Sequence, residues 1–599
     1  MPGLFGVLAL SPRASDDRLR AMARRMGGAM ATTPWLREEH WDAPGFAGGR
    51  VHLALANPAP QPGMAAGDMR TWFDGRIYPA GGDGSITPAP DEIVAMARDP
   101  RGRLAGADGV FNFSCVDAER RELTLATDRL GFRPLFWTAT PDWFAYAGEA
   151  NALLAIRESA PALDPRALRQ FFAFDYLLGE RTWWEGIELV PPATVWIICG
   201  RGRLACRYWS FGEIRRDPRP EPEVMEELDH RWARAVRQRV QPGTTPLLLS
   251  GGLDSRLVLS EMVRQGRDLT AVTFGEAGCP DVTIAARCAR AAGVPHRAVT
   301  MGTSTWWGGR DGAIRRTDGL VNAIHLHVAV ALDALATGNR YTLKNSTGDV
   351  LFGGNGFKLF PTQAFAPSDA RDWTLTREEF LASKYLPNPF FSREETAEAS
   401  RGDCDPYLEG PSTDCFVIRQ GQRRWTLTGA LAMGGHCDVV NPGASLAVLQ
   451  LMLGALTDRQ RARGAFYDPF LCDRHPRLFR TIPWQRTGRR LVESPAVQLF
   501  YRVDYAIRRR INRPRYQRGF FDYARALAAC GLREKLAGTD LVLDEVMGGA
   551  ARGVLRSDKV TLPPRTLLAV LTLETYLRQT AGRPGLAPLV SAAVGPAAA

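Results

Sequence analysis

Long apolar runs and paired cysteines are both missing from this chain. No stretch of about 18 apolar residues occurs in the sequence, so a membrane-spanning helix is not expected. Ten cysteines are present, but no two form a C-x-x-C pair, and the short cysteine–histidine combinations lack the further ligands that a zinc site needs. We therefore expect a cytoplasmic protein with free thiols and no contact with the membrane.

Lysine is scarce, although the chain is basic. Lysine and arginine together number 75 against 64 acidic residues, a net charge of +11, and only five of the 75 are lysine. The basic residues form no stripe interleaved with aromatic side chains, so no nucleic-acid partner is predicted. With 599 residues, of which 45% are hydrophobic and 23% charged, the chain is typical of a globular protein of two domains.

What the sequence does contain is a glycine-rich turn between an apolar strand at 247–249 and an amphipathic helix. The turn is Ser250-Gly251-Gly252-Leu253-Asp254-Ser255. Two glycines permit backbone angles closed to other residues and let main-chain N–H groups approach a ligand, and the helix start adds partial positive charge. Asp254 would repel a bare phosphate, so its presence indicates a bridging divalent cation. The turn predicts a phosphate-binding loop, but not a Walker loop, because the lysine and its glycine spacing are missing.

Two later segments extend this pattern. Residues 271–275 predict a second short strand that ends in Phe274-Gly275, and residues 341–354 predict a strand that runs into a polar turn with one carboxylate, Asp349. In order and spacing, the three segments resemble the synthetase domain of asparagine synthetases. Those enzymes are ATP pyrophosphatases, which cleave ATP between the α and β phosphates.

This resemblance implies ATP and Mg²⁺ as ligands. By it, Asp254 and Asp349 are catalytic and hold the metal against the ATP phosphates, in keeping with the preference of Mg²⁺ for carboxylates. Leu249 and Phe274 would lie near the adenine. The other nucleotide-binding residues implied are Ser250, Gly251, Gly252, Ser255 and Gly348.

The N-terminal part resembles the glutamine amidotransferase domain of the same family. The resemblance rests on Met1–Gly6, on Phe73–Tyr78 and on Thr127–Trp137. It fails at position 2, where the family nucleophile is the cysteine exposed after removal of Met1. Pro2 carries no thiol, so the resemblance implies a glutaminase fold without glutaminase activity.

The predicted architecture is α/β in two parts. Residues 1–211 should form a degenerate, inactive glutaminase-like αββα sandwich, and 212–224 a stiff linker. Residues 225–599 should form the adenylating domain, a doubly wound parallel sheet followed by a helical extension that includes Ala444 to Leu456 and Ala551 to Arg578. Ligands of such a sheet bind at the carboxyl ends of its strands.

Without a glutaminase, the synthetase domain must use another amine, and three kinds of enzyme resemble that description. Lasso peptide cyclases adenylate an Asp or Glu side chain of a precursor peptide, whose own N-terminal amine then closes a macrolactam. β-Lactam synthetases let an internal amine attack, and some asparagine synthetases depend on free ammonia. An ATP-binding scaffold without ligase chemistry is a fourth, different class.

Three features favour the lasso peptide cyclase. Both glutamates of the asparagine synthetase motif around Asp349 are replaced, by Ser346 and Val350. β-Lactam synthetases have a tyrosine where Ser346 stands. The chain also continues about a hundred residues past the last family motif. The partners then implied are a precursor peptide, a leader peptidase and a leader-binding protein.

The acyl-transfer residue is the least determined part of the predicted site. Related synthetases use a lysine after a Pro-Phe-Leu-Asp motif, but the nearest lysines here are 384 and 535. Arg489 and Arg490 stand near the expected place and are candidates to hold negative charge. His325 and His327 lie in a predicted helix, 321–337, in which residues two apart do not share a face, so joint metal binding by the pair is not expected, and one of them is a candidate to face the substrate pocket.

Overall fold

The structure is a computed structural model. It describes residues 2–336, 341–343, 385–403, 409–491 and 520–586, with isolated positions between 496 and 503, and with short gaps at 55–56, 58, 62–63, 83, 160, 241–242, 387, 462–463, 487 and 584–585. Within these ranges, none of the helices combines the length and the apolar character needed to cross a bilayer.

The strands of the described residues form three sheets. In chain order they are β1 (Gly3–Ala9), β2 (Arg37–Ala43), β3 (Phe46–His52), β4 (Met64–Ala66), β5 (Met69–Tyr78), β6 (Asp108–Asp117), β7 (Glu122–Thr127), β8 (Phe136–Ala139), β9 (Trp143–Ala147), β10 (Glu188–Leu189), β11 (Thr194–Cys199), β12 (Gly202–Arg207), β13 (Thr245–Leu248), β14 (Leu269–Gly275), β15 (His296–Thr300), β16 (Tyr341–Leu343) and β17 (Asp438–Val440).

The α-helices are numbered in the same way. They are α1 (Asp16–Met30), α2 (Pro90–Arg98), α3 (Pro100–Arg103), α4 (Ala150–Leu154), α5 (Pro165–Phe174), α6 (Glu221–Arg239), α7 (Leu253–Arg264), α8 (Pro280–Ala292), α9 (Arg310–Arg316), α10 (Leu332–Ala336), α11 (Arg393–Ser400), α12 (Thr413–Phe416), α13 (Thr428–Leu431), α14 (Leu446–Ala455), α15 (Asp458–Arg461), α16 (Tyr467–Arg474), α17 (Pro476–Phe479), α18 (Tyr523–Cys530), α19 (Leu532–Gly538), α20 (Val542–Val546), α21 (Ala550–Arg556) and α22 (Pro564–Thr580). A π-helix spans Val417–Leu427.

Two six-stranded antiparallel sheets form the N-terminal part. Their strand orders are β10-β8-β9-β1-β3-β2 and β12-β11-β7-β6-β5-β4. Apolar side chains that alternate along the strands meet between the sheets, among them Leu4, Phe46, Trp72, Val116, Leu125, Phe144 and Trp196. Helix α1 covers the outer face of the first sheet and α2 that of the second. The predicted αββα sandwich is confirmed.

The third sheet is parallel, in the order β15-β14-β13-β16-β17. Helices α6, α7 and α8 share a core with β13 on one face. Residues 328–335 and 430–437 cover the other face. Both faces are covered, and the central strands β13 and β14 are mostly apolar and buried, whereas the edge strand β15 is partly exposed. The predicted doubly wound sheet is confirmed.

Two predicted helices are wrong in detail. Residues 551–578 form α21 and α22 rather than one helix, because Pro563 and Pro564 can begin a helix but cannot continue one. Residues 321–337 form short 3₁₀ turns at Ala323–His325 and His327–Ala331 before α10. The domain boundaries at 211 and 225 stay a prediction, although β12 ends at Arg207 and α6 begins at Glu221.

Candidate active site

The predicted phosphate loop lies at the carboxyl edge of the parallel sheet. From β13 the chain passes to β14 and β15 on one side, whereas β16 lies on the other side of β13. This reversal makes the end of β13 the topological switch point, where α/β sheets open a crevice for ligands. The turn Ser250–Ser255 leaves the sheet at that point.

Internal hydrogen bonds hold the turn in shape. The Ser255 hydroxyl accepts the Ser250 N–H at 3.1 Å, and the Ser250 hydroxyl accepts the Gly252 N–H at 3.1 Å. Helix α7 begins directly after Gly252 and runs for 12 residues, so its partial positive charge faces the turn. The two serines therefore fix the loop from within.

The two glycines are needed for space rather than for unusual backbone angles. Gly252 has φ −74°, and Gly251 is not among the glycines with left-handed φ. A Cβ on Gly251 would lie 2.6 Å from Cβ of Gln485, whereas one on Gly252 would lie 2.9 Å from the Ser250 hydroxyl. The sequence-based reason given above, special backbone angles, is therefore corrected.

A buried arginine fixes the turn to the next part of the chain. The Arg256 guanidinium, fully buried in α7, donates to the carbonyl oxygens of Gly251 and Pro483 at 2.9 Å each and to that of Ile482 at 3.1 Å. The turn is thereby preorganised before any ligand binds.

Asp254, the predicted metal ligand, lies in the first turn of α7. Its Oδ1 accepts a hydrogen bond from the Tyr467 hydroxyl at 3.1 Å. Tyr467 begins α16, which also contains Pro469-Phe470-Leu471, the residues that resemble the Pro-Phe-Leu-Asp motif of related synthetases. The hydroxyl orients the carboxylate toward the cavity described next.

A cavity of about 660 Å³ opens in front of the turn. Six of the predicted residues border it: Leu249, Ser250, Gly252, Asp254, Ser255 and Phe274. The structure thus brings together the residues predicted from the first two motifs. Asp349 and Gly348, from the third motif, lie outside the described residues, so the pairing of Asp254 with Asp349 stays a prediction.

An aromatic wall closes the cavity beside β14. The Phe274 ring lies 5.2 Å from the His327 ring, which in turn lies 4.5 Å from Phe520, measured between centroids. Phe274 and Leu249 are the residues that the resemblance places near adenine. The rings are tilted relative to one another, by 42° between Phe274 and His327 and by 51° between His327 and Phe520, so a planar base would stack on a single ring face.

Two carboxyl groups in the cavity were not predicted as site residues. Burial raises the pKa of Asp468, the neighbour of Tyr467, to about 6. Burial also raises the pKa of Asp281, although its Oδ1 accepts the Gly251 N–H at 2.9 Å. Two sequence signals could have identified them. For Asp468 it is the Pro-Phe-Leu motif that follows directly, and for Asp281 it is the Pro280-Asp281 dipeptide after β14.

Both histidines of the 325–327 segment border the cavity, although residues two apart in the predicted helix would not share a face. The reason is that the segment is not a regular helix. The Asn322 side chain accepts the Ile324 N–H at 3.1 Å, and Thr572 of α22 accepts the Ala323 N–H at 2.8 Å. These bonds replace the helical ladder, so side chains two apart reach the same space.

Arg489 and Arg490 follow the segment that closes the cavity. The Arg489 carbonyl accepts the Trp484 N–H at 2.7 Å, which holds this segment in a tight turn. Among the described residues that border the cavity, Arg486 supplies the guanidinium from this turn, and neither Arg489 nor Arg490 borders it. Their role in acyl transfer stays a prediction.

Charged side chains form an ion-paired seam beside Pro2, the position at which the resemblance places the glutaminase nucleophile. Arg133 donates to Asp74 at 2.8 Å and to Asp438 at 3.3 Å, and Arg76 pairs with Asp438 at 2.6 Å. These side chains border a cavity of about 110 Å³ together with Pro2. The charged side chains that border this cavity are thus paired with one another.

Cys115 offers no replacement for the missing thiol. It is fully buried on β6, and burial raises the pKa of its thiol far above the ordinary range. A thiol in this state is not a nucleophile near neutral pH.

The geometry fits a magnesium–nucleotide complex. The turn offers two hydroxyls and the start of α7, and Asp254 offers the hard oxygen ligand that Mg²⁺ prefers. The N–H groups of Ser250, Gly251 and Gly252 are already bound to side chains of the loop and of Asp281. An aromatic wall stands within the same cavity. The anchored Gly251–Arg256 loop would hold this ligand without rearranging its neighbours.

Comparisons with known proteins agree with this arrangement. Residues 93–209 match the family model of the glutamine amidotransferase domain, and residues 223–430 match that of asparagine synthase. An amidase (chry2) of Gibberella zeae is 29% identical to 27% of this chain and 25% of its own length. The glutamine-hydrolyzing asparagine synthetase of Mesocricetus auratus is 27% identical, over 45% of this chain and 49% of that protein.

A third relative is the carboxyethyl-arginine beta-lactam-synthase of Streptomyces clavuligerus. It is 33% identical over 27% of this chain and 30% of its own length. The chain thus spans between a quarter and about half of the length of these curated relatives. The chain is asparagine synthetase-like, with a glutamine amidotransferase-type domain followed by an asparagine synthase-type domain.

Proposed function

We propose that this protein is an ATP-dependent ligase that forms a carbon–nitrogen bond by adenylating a carboxylate and releasing pyrophosphate. The observation that carries the proposal is the Ser250–Ser255 turn, preorganised at the switch point of the sheet with Asp254 facing a cavity of about 660 Å³. The similarity to an asparagine synthetase and to a β-lactam synthase supports the reaction class.

In the proposed mechanism, the turn holds the β and γ phosphates of the substrate ATP through the start of α7 and the hydroxyls of Ser250 and Ser255. Asp254 would hold Mg²⁺, which supplies positive charge against the departing pyrophosphate. The carboxylate of the second substrate attacks the α phosphorus in line, and the pyrophosphate leaves. The aromatic wall and the buried carboxyls limit water, which would otherwise hydrolyse the acyl-adenylate.

As the specific activity we propose lasso peptide cyclisation. The enzyme would adenylate an Asp or Glu side chain of a precursor core peptide, and the N-terminal amine of the same peptide would close the isopeptide bond. Pro2 and the ion-paired seam support a nitrogen donor other than glutamine. Holding both ends of one peptide gives a large rate advantage, since effective molarities of oriented groups reach about 10⁵ M.

The proposed partners are a leader peptidase and a leader-binding protein, which would deliver the peptide. A second candidate activity is β-lactam-type closure of a small amino acid. It is favoured by the similarity to the carboxyethyl-arginine beta-lactam-synthase, the relative with the highest identity of the three described above.

The test uses the full chain with ATP, Mg²⁺ and a synthetic peptide of the sequence encoded beside its gene. Peptide-dependent pyrophosphate release and a product lighter than the peptide by one water are expected. Asp254→Asn keeps an oxygen for Tyr467 but loses the charge, so we expect release to fall about a hundredfold or more. Asp268→Asn, at an exposed aspartate outside the cavity, is the matched control and should keep the wild-type rate.

Other substrates separate the alternatives. Pyrophosphate release with free aspartate and ammonia, but not with the peptide, would replace the cyclase by an ammonia-dependent amide synthetase. Release with carboxyethyl-arginine would indicate β-lactam-type closure. Absence of release with all three would leave an ATP-binding scaffold and overturn the proposed reaction.

A further inference from the structure

A histidine–aspartate pair that no motif predicted lies where the two sequence halves meet. His325 Nε2 is 2.9 Å from Oδ2 of Asp175, and the His325 ring borders the same cavity as Asp254. A carboxylate oxygen only accepts hydrogen bonds, so Nε2 carries the hydrogen and Nδ1 keeps its lone pair. This is the arrangement that a general base requires: a nitrogen with a lone pair, oriented from behind by an acid.

Asp175 is held firmly in its position. It caps the end of α5 with φ 67°, a left-handed conformation that is uncommon for an aspartate, and it is 2% exposed. Its Oδ1 accepts the Asn322 amide at 3.1 Å, and its Oδ2 accepts the Arg565 guanidinium. Because these neighbours all donate to it, the carboxylate is held in place and fixes the orientation of the imidazole.

The surroundings keep His325 neutral. Burial lowers the pKa of His325, and the Arg565 cation lowers it further, while Asp175 raises it in part. The Trp425 ring packs edge-on against the imidazole at 4.7 Å and shields it from water. A neutral imidazole near pH 7 is able to accept a proton.

We propose that His325, oriented by Asp175, is the general base that activates the attacking amine in the second half of the reaction. This inference rests on the proposed function. As the amine nitrogen forms its bond to the acyl carbon, the bond from that carbon to the AMP oxygen breaks. Nδ1 of His325 takes the proton from nitrogen, and AMP leaves with the electron pair. The glutaminase-like half thus contributes Asp175 to a site in the other half.

The proposed base acts only after adenylation. Loss of the base should therefore slow acyl transfer and leave adenylation nearly unchanged, and the two half-reactions are measured separately. Adenylation is measured by peptide-dependent exchange of radiolabelled pyrophosphate into ATP, and acyl transfer by the cyclised product. For His325→Gln we expect exchange to remain within about threefold of the wild type, whereas cyclisation falls about 10²–10⁴-fold. Asp175→Asn should show the same split, because an amide facing Nε2 favours the wrong tautomer.

Hydroxylamine provides a second readout. It is unprotonated at neutral pH and needs no base, so it should trap the acyl-adenylate as a hydroxamate equally well with the wild type and with His325→Gln. The cyclisation rate of the wild type should rise with pH around the pKa of His325, which lies below the ordinary value for histidine. The His325→Gln variant should not show this rise. Asp175 and Arg565 are the charged groups that face the ring and set that pKa.

A matched control is His40→Gln. His40 also pairs with a carboxylate, Glu38 at 3.1 Å, but on β2, outside the cavity, so both half-reactions should be unchanged. If His325→Gln cyclises at the wild-type rate, or if it loses exchange and cyclisation together, the base assignment is wrong. If the wild type itself shows no peptide-dependent exchange, the proposed function and this inference fail together.

Discussion

At the scale of single residues, the two glycines of the phosphate turn should differ in their tolerance of a side chain. For Gly251→Ala we expect a loss of unfolding free energy of about 1–3 kcal/mol and a higher KM for ATP, because the new Cβ would lie 2.6 Å from Cβ of Gln485. That carbon is attached directly to the main chain, so the turn or the cavity wall must move.

Gly252→Ala is the matched control for this prediction. Its new Cβ would lie 2.9 Å from the Ser250 hydroxyl, which can rotate away at the cost of the hydrogen bond that it accepts from the Gly252 N–H. We expect a smaller effect, below about 1 kcal/mol in thermal unfolding. Equal losses in the two variants would show that general loop stiffness, rather than the contact with Gln485, makes Gly251 necessary.

A site residue was predictable from the sequence when the residues it acts with lie close to it along the chain. Asp254, Ser250 and Phe274 were found because each belongs to a short motif whose residue types carry the chemistry. Tyr467 was not, since it reaches Asp254 across 213 positions and nothing local marks it. Pairings between distant segments are fixed by tertiary packing, and a single sequence does not show that packing.

At the scale of elements, the contact between α7 and the segment after α17 depends on Arg256. Arg256→Met removes the donors for the carbonyls of Gly251, Ile482 and Pro483 and leaves them buried. We expect a loss of about 3 kcal/mol or more in urea unfolding, together with weaker ATP binding. Arg290→Met, at an exposed arginine of α8, should change stability by less than about 0.5 kcal/mol. Similar losses in the two variants would contradict this account.

The predicted helices and strands agree with the structure where capping residues and hydrophobic periodicity indicated the same element. The strand before the phosphate turn and the helix after it were both predicted and both observed, as β13 and α7. The segment 321–337 was predicted as one helix and is not, because Asn322 and Thr572 bind its N–H groups from outside the ladder. The proline pair at 563–564, by contrast, was a visible signal that the prediction did not use.

At the scale of the whole molecule, the two halves are joined through charged groups at their boundary. Asp318 caps α4 of the other half by accepting the N–H groups of Ala150 and Asn151 at 3.0 Å each. The carboxyl is 1% exposed. Burial raises its pKa to about 6, even though the two N–H groups favour the charged form. The junction of the halves therefore carries a carboxyl that is costly to ionise.

This raised pKa predicts a pH dependence of stability with a definite sign. Below about pH 4 the carboxyl is protonated in both the folded and the unfolded chain and has no linkage effect. Between about pH 4 and pH 6 only the folded chain keeps the proton, so the stability contributed by this group falls as pH rises. Above about pH 6 the full cost, about 3 kcal/mol at most, persists.

Asp318→Asn has no carboxyl to titrate and supplies the reference. We expect the unfolding free energy of the wild type minus that of Asp318→Asn to decrease by up to about 3 kcal/mol between pH 4 and pH 7, measured by urea unfolding at each pH. Taking the difference cancels the other titrating groups, which are common to both proteins. A difference that is constant across this range would mean that the two N–H groups of α4 balance the effect of burial, so that the pKa of Asp318 is the same in the folded and unfolded chain. A difference that grows with pH would mean that they outweigh burial, and the charge would then stabilise the junction of the two halves.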